Sequence, residues 1–357
     1  MGSRTLPMVA PMMVVSMLSP AVLLGQAVAP SKPAAPKAAL KSYTPPKTPW
    51  GDPDLQGQWP ANANIPMQRP ASFGERATLT DEEVAARQKQ AQRQSESDRE
   101  EKAGENTTVT VNPPSYWQEH GAVSRQASLV VDPPNGRIPP LTARAQQAVK
   151  DLRGGKGPGG HFPRVVDSYD DFDLYSRCIS RGPISSMLPT LYNFGNDILQ
   201  GPGYVAIRNE MIHETRVIPL DGRPHSGSAI KSYMGDSRGH WEGNTLVVET
   251  TNLKEQPGVA GGLFTGKAKL TERFTRVGPE ELSYDLTVDD LETWTKPWSI
   301  HMPYKLDKSY PVYEYACHEG NYMMLDALTA ARQLEKQGLD TRVQRGDAGG
   351  PPPRVQP

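Results

Sequence analysis

From residue 204 to residue 318 the chain runs through short β-branched and aromatic segments separated by turn residues. They are 204–211 (YVAIRNEM), 213–220 (HETRVIPL), 245–252 (TLVVETTN), 269–277 (KLTERFTRV), 281–288 (ELSYDLTV), 297–306 (PWSIHMPYKL) and 312–318 (VYEYACH). Within 281–288, Leu282, Tyr284, Leu286 and Val288 alternate with Ser283, Asp285 and Thr287, the period-2 pattern of a strand with one buried and one wet face. Asp221-Gly222 and Gly243-Asn244 offer residues that tolerate positive φ, and Val277-Gly278-Pro279 closes a further connection. An earlier strand at 128–132 is stopped by Pro133-Pro134-Asn135-Gly136. The pattern predicts a mainly β protein: an antiparallel meander of about seven or eight strands, closed as a lipocalin-like barrel or folded as a two-layer sandwich, with flanking α-helices.

The helices are marked by their ends. Thr80 and Glu83 form a capping box ahead of 80–104, a run of Gln, Arg, Glu and Ala with almost no apolar stripe, which predicts a solvated surface helix. Thr142 caps a second helix reaching Arg153, and the Gly-rich 154–160 lacks the Lys-Ser/Thr ending of a phosphate loop. Asn321 is expected to cap a last helix, ended by Gly338, whose stripe of Met324, Ala327, Leu328, Ala331 and Leu334 is expected to pack on the sheet.

The N-terminal region has a different character. After Arg4 no charged residue occurs until Lys32, and the stretch between is dominated by Met, Val, Leu and Ala. Pro11 and Pro20 interrupt it, so it reads as a cleaved export signal over 1–27 rather than a membrane helix. A Pro/Ala-rich linker (28–52), an N-terminal extension carrying the solvated helix (53–127), the β domain with its C-terminal helix (128–338) and a disordered tail (339–357) complete the expected organisation. The expected location is secreted or periplasmic, with no later membrane-spanning segment. In that oxidising setting Cys178 and Cys317, the two cysteines of the chain, are expected to form one disulfide. Lys plus Arg (39) balance Asp plus Glu (40), which removes nucleic acid as the obvious partner. Nothing in the sequence sets an oligomeric state.

Eight runs together form a recognisable pattern: SLVVDPPNGRIPPLT (128–142), RCI (177–179), NEMIH (209–213), VIPLDGRPH (217–225), MGDSRGHWEGNTLVVETTN (234–252), LTERFTRV (270–277), TVDDLETWTKPWS (287–299) and YEYACHEGNYMM (313–324). Across about 128–332 the chain resembles a family of secreted bacterial proteins to which no activity is assigned. The resemblance implies an exported protein and supplies no catalytic residue, cofactor or ligand. Where this chain has GVAGGLFTGKAK (258–269), such proteins often carry a shorter, more polar, sometimes His-containing link.

Candidate chemistry therefore rests on the residues. Ionisable groups inside strand patterns are costly unless paired or functional. Arg208 and Glu210 share a face of 204–211, Glu249 and Glu272 sit among apolar neighbours, and Glu314 shares a face with His318. Lining one interior, these carboxylates could transfer protons on a bound molecule, with Glu210 and His213 as the acid/base pair and Glu249, Glu272 and His318 as further candidates. The structural alternative is ion pairing such as Arg208–Glu249 or Arg273–Glu314. Arg208, Arg238, Trp241, Trp298 and Tyr315 are the candidate ligand-binding residues, aromatic surfaces and cations suited to a barrel mouth. His213, His225, His240, His301 and His318 are scattered over separate turns without metal-ligand spacing, so no metal and no cofactor is expected. Asp236-Ser237-Arg238-Gly239 lacks the strand-to-helix elbow of a serine hydrolase. The expectation is an exported small-molecule-binding protein with a β-barrel pocket; the alternative is a secreted acid/base enzyme acting on a small extracellular compound.

Overall fold

The computed structural model describes residues 43–103, 115–153, 166–257 and 263–339. The expected export signal, most of the linker, the Gly-rich 154–160 and the tail from 340 onward lie outside the described residues. In chain order the strands are β1 (Gly57–Gln58), β2 (Ala63–Asn64), β3 (Ala122–Val123), β4 (Val130–Asp132), β5 (Asn196–Gly201), β6 (Tyr204–Asn209) and β7 (Thr215–Pro219). There follow β8 (Asp236–Glu242), β9 (Thr245–Thr251), β10 (Gln256–Pro257), β11 (Leu263–Phe264), β12 (Lys269–Gly278), β13 (Glu281–Asp289) and β14 (Trp298–Lys305). The helices are α1 (Asp81–Lys102), α2 (Ala143–Arg153), α3 (Gly182–Ser185) and α4 (Tyr322–Lys336). None of them, among the described residues, is long and apolar enough to cross a membrane.

The protein is mainly β, and its two principal sheets are antiparallel. One has the order β1-β5-β6-β7 and the other β4-β14-β13-β12-β9-β8. No ladder among the described residues joins the outer strands into a closed barrel. The two sheets instead share one core, in which Ile198, Val205, Ile207 and Ile218 of the smaller sheet meet Leu246, Val248, Leu270, Phe274, Leu286 and Ile300 of the larger. The alternation in β13 largely does what its pattern implies: Leu282, Tyr284, Leu286 and Val288 are buried and Asp285 and Thr287 are half-exposed, while Ser283, expected on the wet face, is buried. β14 repeats it with Trp298, Ile300, Met302 and Tyr304 inward. Pro303, which has no N–H to give, faces Ser283 of β13 at a point β4 does not reach, so the sheet loses no ladder bond. The sheets approach closely where β8 passes β7: a Cβ on Gly239 would fall 2.7 Å from Leu220 and 2.9 Å from Ile218.

Aromatic side chains fill the space between the sheets. Trp59, Trp294, Trp298, Tyr284, Tyr304 and Phe274 are fully buried, with Phe274–Tyr284 centroids 4.9 Å apart and Trp294–Trp298 in edge contact at 5.5 Å. Leu55, Trp59, Ala61 and Ile65 belong to this core, so the segment read as an N-terminal extension supplies both a strand and core packing. α1 keeps its capping box and buries no residue, as a solvated helix should. α4 differs from expectation: Met324, Ala327, Leu328 and Ala331 pack on Val166 and Phe172, a small cluster separate from the sheets. Asn321 gives α4 no side-chain cap because its amide is engaged elsewhere.

One ion pair lies inside the core. Arg216 of β7 reaches across to Glu272 of β12, Nη1 to Oε2 at 2.5 Å and Nη2 to Oε1 at 2.8 Å, and Tyr284 Oη donates to the same carboxylate at 3.0 Å. The two residues are 5% and 1% exposed. Burial acts against the Arg216 charge, but Glu272 outweighs it and holds the guanidinium protonated. Glu272 is therefore an internal tie between the sheets rather than an acid facing a ligand. Replacing Arg216 by Met leaves a buried carboxylate without its cation and should lower unfolding free energy by about 3–5 kcal/mol. In urea titrations the double variant Arg216→Met/Glu272→Leu should recover most of that loss; equal stabilities for wild type and the single variant would show that the tie contributes nothing.

Candidate functional site

Outside the sheets, Asp173–Asn193 and Glu314–Met323 face each other across a cleft with a volume of about 800 Å³. Both stretches are mostly turns, so no ladder holds them. They are joined covalently instead: Cys178 and Cys317 form a disulfide with Cα atoms 5.7 Å apart, linking positions 139 residues apart in sequence. Asn321 Nδ2 adds hydrogen bonds to Ser176 O at 2.8 Å and Cys178 Sγ at 3.4 Å. Below the disulfide, Tyr175 Oη meets Tyr315 Oη at 3.1 Å and Tyr192 Oη at 3.5 Å, and His213 Nδ1 lies 2.9 Å from Tyr315 O.

The cleft wall combines phenol rings, small hydroxyls and amides with one cation. Arg181, half-buried at the start of α3, places its guanidinium over the Tyr175 ring at 5.7 Å. Its backbone N–H donates to Glu214 Oε2 at 3.0 Å, fixing the chain direction without engaging the side chain. Burial lowers the Arg181 pKa, opposed by the nearby phenols and Glu214. Burial likewise raises the Tyr175 and Tyr315 phenols, which stay neutral at physiological pH. Asp173 and Glu314 are the other charged groups lining the cleft; Asp173 Oδ1 accepts from Ser176 N at 2.7 Å, and Glu314 is exposed.

Behind Asn193 lies a pair of carboxylates joined by a phenol. Tyr310 Oη is 2.8 Å from Glu119 Oε2, 3.1 Å from Glu119 Oε1 and 2.9 Å from Glu210 Oε2. Glu210, 2% exposed, also accepts from Asn193 Nδ2 at 2.8 Å, Tyr313 N at 3.0 Å and Gly195 N at 3.2 Å. Asn193 N donates to Glu119 Oε1 at 2.5 Å. A phenol has one proton to donate. Directed at one carboxylate, it leaves the other facing an oxygen lone pair, an arrangement that favours the protonated form of Glu119, whose pKa is raised. Neither forms an ion pair among the described residues. Burial raises the Glu119 pKa, helped by the negative charge of Glu210 and opposed chiefly by the Tyr310 hydrogen bond.

The structure disperses most of the residues singled out from sequence. Strand β6 ends at Asn209, and the turn Met211–His213 has positive φ at Ile212 (65°) and His213 (46°). Glu210 therefore leaves the face of Arg208 and turns inward, whereas Arg208 stays exposed and pairs with Asp197. Glu249 pairs with Lys269, Arg273 with Glu242, and neither expected pair, Arg208–Glu249 or Arg273–Glu314, forms. Arg238 is held by Asp236 Oδ1 at 2.5 Å, Trp241 packs on the core's edge, and Trp298 is inside the core. His318 is exposed. Tyr315 alone of the expected ligand-binding residues lines the cleft. Arg181, Tyr175, Tyr192, Glu119 and Tyr310 were not anticipated. A usable signal existed for two of them: drawing the Cys178–Cys317 bond brings Tyr175 and Arg181, which lie close to Cys178, next to Tyr315, which lies close to Cys317. Among the described residues no three His, Cys, Asp or Glu side chains gather in a way that could hold a metal ion. The chain matches no protein-family model and no curated protein.

The carboxyl pair has a pH consequence. Because folding raises the Glu119 pKa, its contribution to stability is complete below the ordinary carboxyl value of 4.5 and is lost as pH rises through the folded-state value. Glu119→Gln imitates the protonated form, accepting from Asn193 N and donating to Tyr310. Urea denaturation between about pH 4 and pH 8 should show the variant gaining on wild type as pH rises; parallel curves would mean that Glu119 titrates normally in the fold.

Proposed function

We propose that the protein is an exported small-molecule-binding protein whose ligand occupies the cleft between 173–193 and 314–323. The observation that carries this reading is an open cavity of about 800 Å³, within the size range of ligand sites, bounded by three tyrosines and tied by a disulfide. Kinship with secreted bacterial proteins and cleavage of the first 27 residues belong to the same reading. The site differs in position from the cup of a lipocalin-like barrel, because here the space between the sheets is taken up by Trp294, Trp298, Tyr284 and Phe274. A barrel-like closure of the sheets would leave the proposed ligand where it is, outside them.

The enzyme reading rests on one observation, the Glu119–Tyr310–Glu210 arrangement, which can hold and release a proton. Neither carboxylate lines the large cleft, and Asn193 stands between them and it. Binding is accordingly favoured over turnover.

Ala316 is exposed on the cleft wall, so Ala316→Trp should fill the cavity without touching the core. A thermal-shift screen of small organic molecules on the full chain should yield ligands that stabilise wild type and fail on the variant, with the ligand-free melting temperature unchanged. Ligands that stabilise both proteins equally would place binding elsewhere and remove the cleft from consideration.

A further inference from the structure

We infer that the cleft takes a ligand with an anionic oxygen group, carboxylate or phosphate, docked on Arg181, and with a planar body against the tyrosine rings. The inference rests on the binding reading above and names its ligand class.

Arg181 differs from most of the other arginines withdrawn from water; half-buried Arg87 also lacks a side-chain hydrogen bond among the described residues, but it lies over the Phe73 ring and does not line the cleft. Arg216 is matched bidentately by Glu272, and Arg238 and Arg177 pair with Asp236 and Asp170 at 2.5 and 3.0 Å. Arg69 and Arg276, which lack carboxylate partners, direct a guanidinium N–H to the carbonyls of Glu75 and Asp54 at 2.9 and 3.0 Å. The Arg181 guanidinium has neither: among the described residues it donates no side-chain hydrogen bond and has no carboxylate within 4.0 Å. Its planar fork of five donors is thus left without a hydrogen-bonding partner among the described residues, and Arg181 lines the cleft. A cation partly removed from water without a counter-charge is costly, and the favourable complement is a two-oxygen anion that the fork can grip.

The surroundings narrow the choice. Glu214, the acid that most affects Arg181, gives one oxygen to the backbone N–H of Arg181. Asp173 is engaged with Ser176 N, and Glu314 is exposed to solvent at the cleft's edge. The Tyr175 hydroxyl lies 3.1 Å from that of Tyr315 and 3.5 Å from that of Tyr192, beside the guanidinium. Their rings offer flat apolar faces next to the charge, the combination that suits an aromatic or unsaturated acid. Arg181 was not among the ligand-binding residues expected from sequence, and among the described residues lining the cleft it is the one that carries positive charge.

The test uses isothermal titration of the full-length protein with four probes: benzoate, its neutral isostere benzamide, phenyl phosphate and inorganic phosphate. Benzoate or phenyl phosphate should bind wild type at least about tenfold tighter than benzamide, and Arg181→Gln should abolish that preference while leaving benzamide binding unchanged. Whichever of the two aromatic anions binds tighter identifies the head group, and inorganic phosphate should bind more weakly than phenyl phosphate because it lacks the ring. Arg181→Lys should restore part of the preference. Urea denaturation gives a second readout: without ligand, Arg181→Gln should be as stable as wild type or more so, since an unpartnered charge is removed. Equal affinity for benzoate and benzamide, or a preference that survives Arg181→Gln, would overturn the anion assignment while leaving the cleft as a binding site. Absence of binding by all four probes would overturn it as well, and the Ala316→Trp screen would then decide separately whether the cleft binds anything.

Discussion

Each sheet has one apolar face, and burying both faces against each other governs the rest of this structure. The interface is closed by large rings, Trp59, Trp294, Trp298 and Tyr284 among them, and stitched by a single internal ion pair, Arg216–Glu272. That pair spans the two sheets and has its remaining acceptor capacity taken up by Tyr284. A buried bidentate pair of this kind adds less to stability than its distance suggests, because both ions must be desolvated, yet it constrains how one sheet may sit on the other. With rings and an ion pair in place, the interior has been committed to packing. Any ligand site of useful size has to be built elsewhere.

The cleft is built from chain that has little means of holding itself together. The cleft walls are turns, without the hydrogen-bonded ladders that position β12 and β13. Loops placed outside a core owe their order to local contacts and are the first parts of a protein to open. Here the Cys178–Cys317 bond, the Asn321 amide and the linked tyrosine hydroxyls do what a core would do elsewhere. Behind them, Tyr310 fastens the strand of chain after β14 to Glu119 and Glu210, so the wall bearing Tyr315 is anchored at both ends.

The distribution of charge follows the same division. On the larger sheet several charged groups have an opposite neighbour: Lys269 with Glu249, Arg273 with Glu242, and His301 lies 2.9 Å from Asp285. Those exposed pairs contribute little to stability. Two groups without an ion-pair partner among the described residues, the Glu119–Glu210 carboxyls and the Arg181 guanidinium, occur at or behind the cleft. Unbalanced charge near a cavity is what a binding site requires, since the ligand brings the missing partner.

Much of the scaffold was legible in the residue pattern. Period-2 alternation in 281–288 identified β13 and its inward face, Thr80 with Glu83 marked the start of α1, and two cysteines in a chain bearing an export-like N-terminus left one disulfide to draw. Strand β5 escaped notice because its inward positions begin with Asn196, buried through bonds to Asn209 and to the carbonyls of Trp59 and Phe194, while Leu199 points outward at 51% exposure. Glu210 looked like a strand residue facing with Arg208, but strand β6 ends at Asn209, Glu210 takes helical φ/ψ (−64°, −53°), and its side chain is buried. What the sequence determined by itself was much of what neighbours a few positions away set: the periodicity of β13, the Thr80 cap, the main turns and the cysteine count, though 312–318 forms no strand and Asn321 gives no cap. Which carboxylates meet at Tyr310, that Arg181 goes without an ion-pair partner, and where the cavity lies were decided by tertiary structure, because each depends on groups brought together from positions roughly a hundred or more residues apart in the chain.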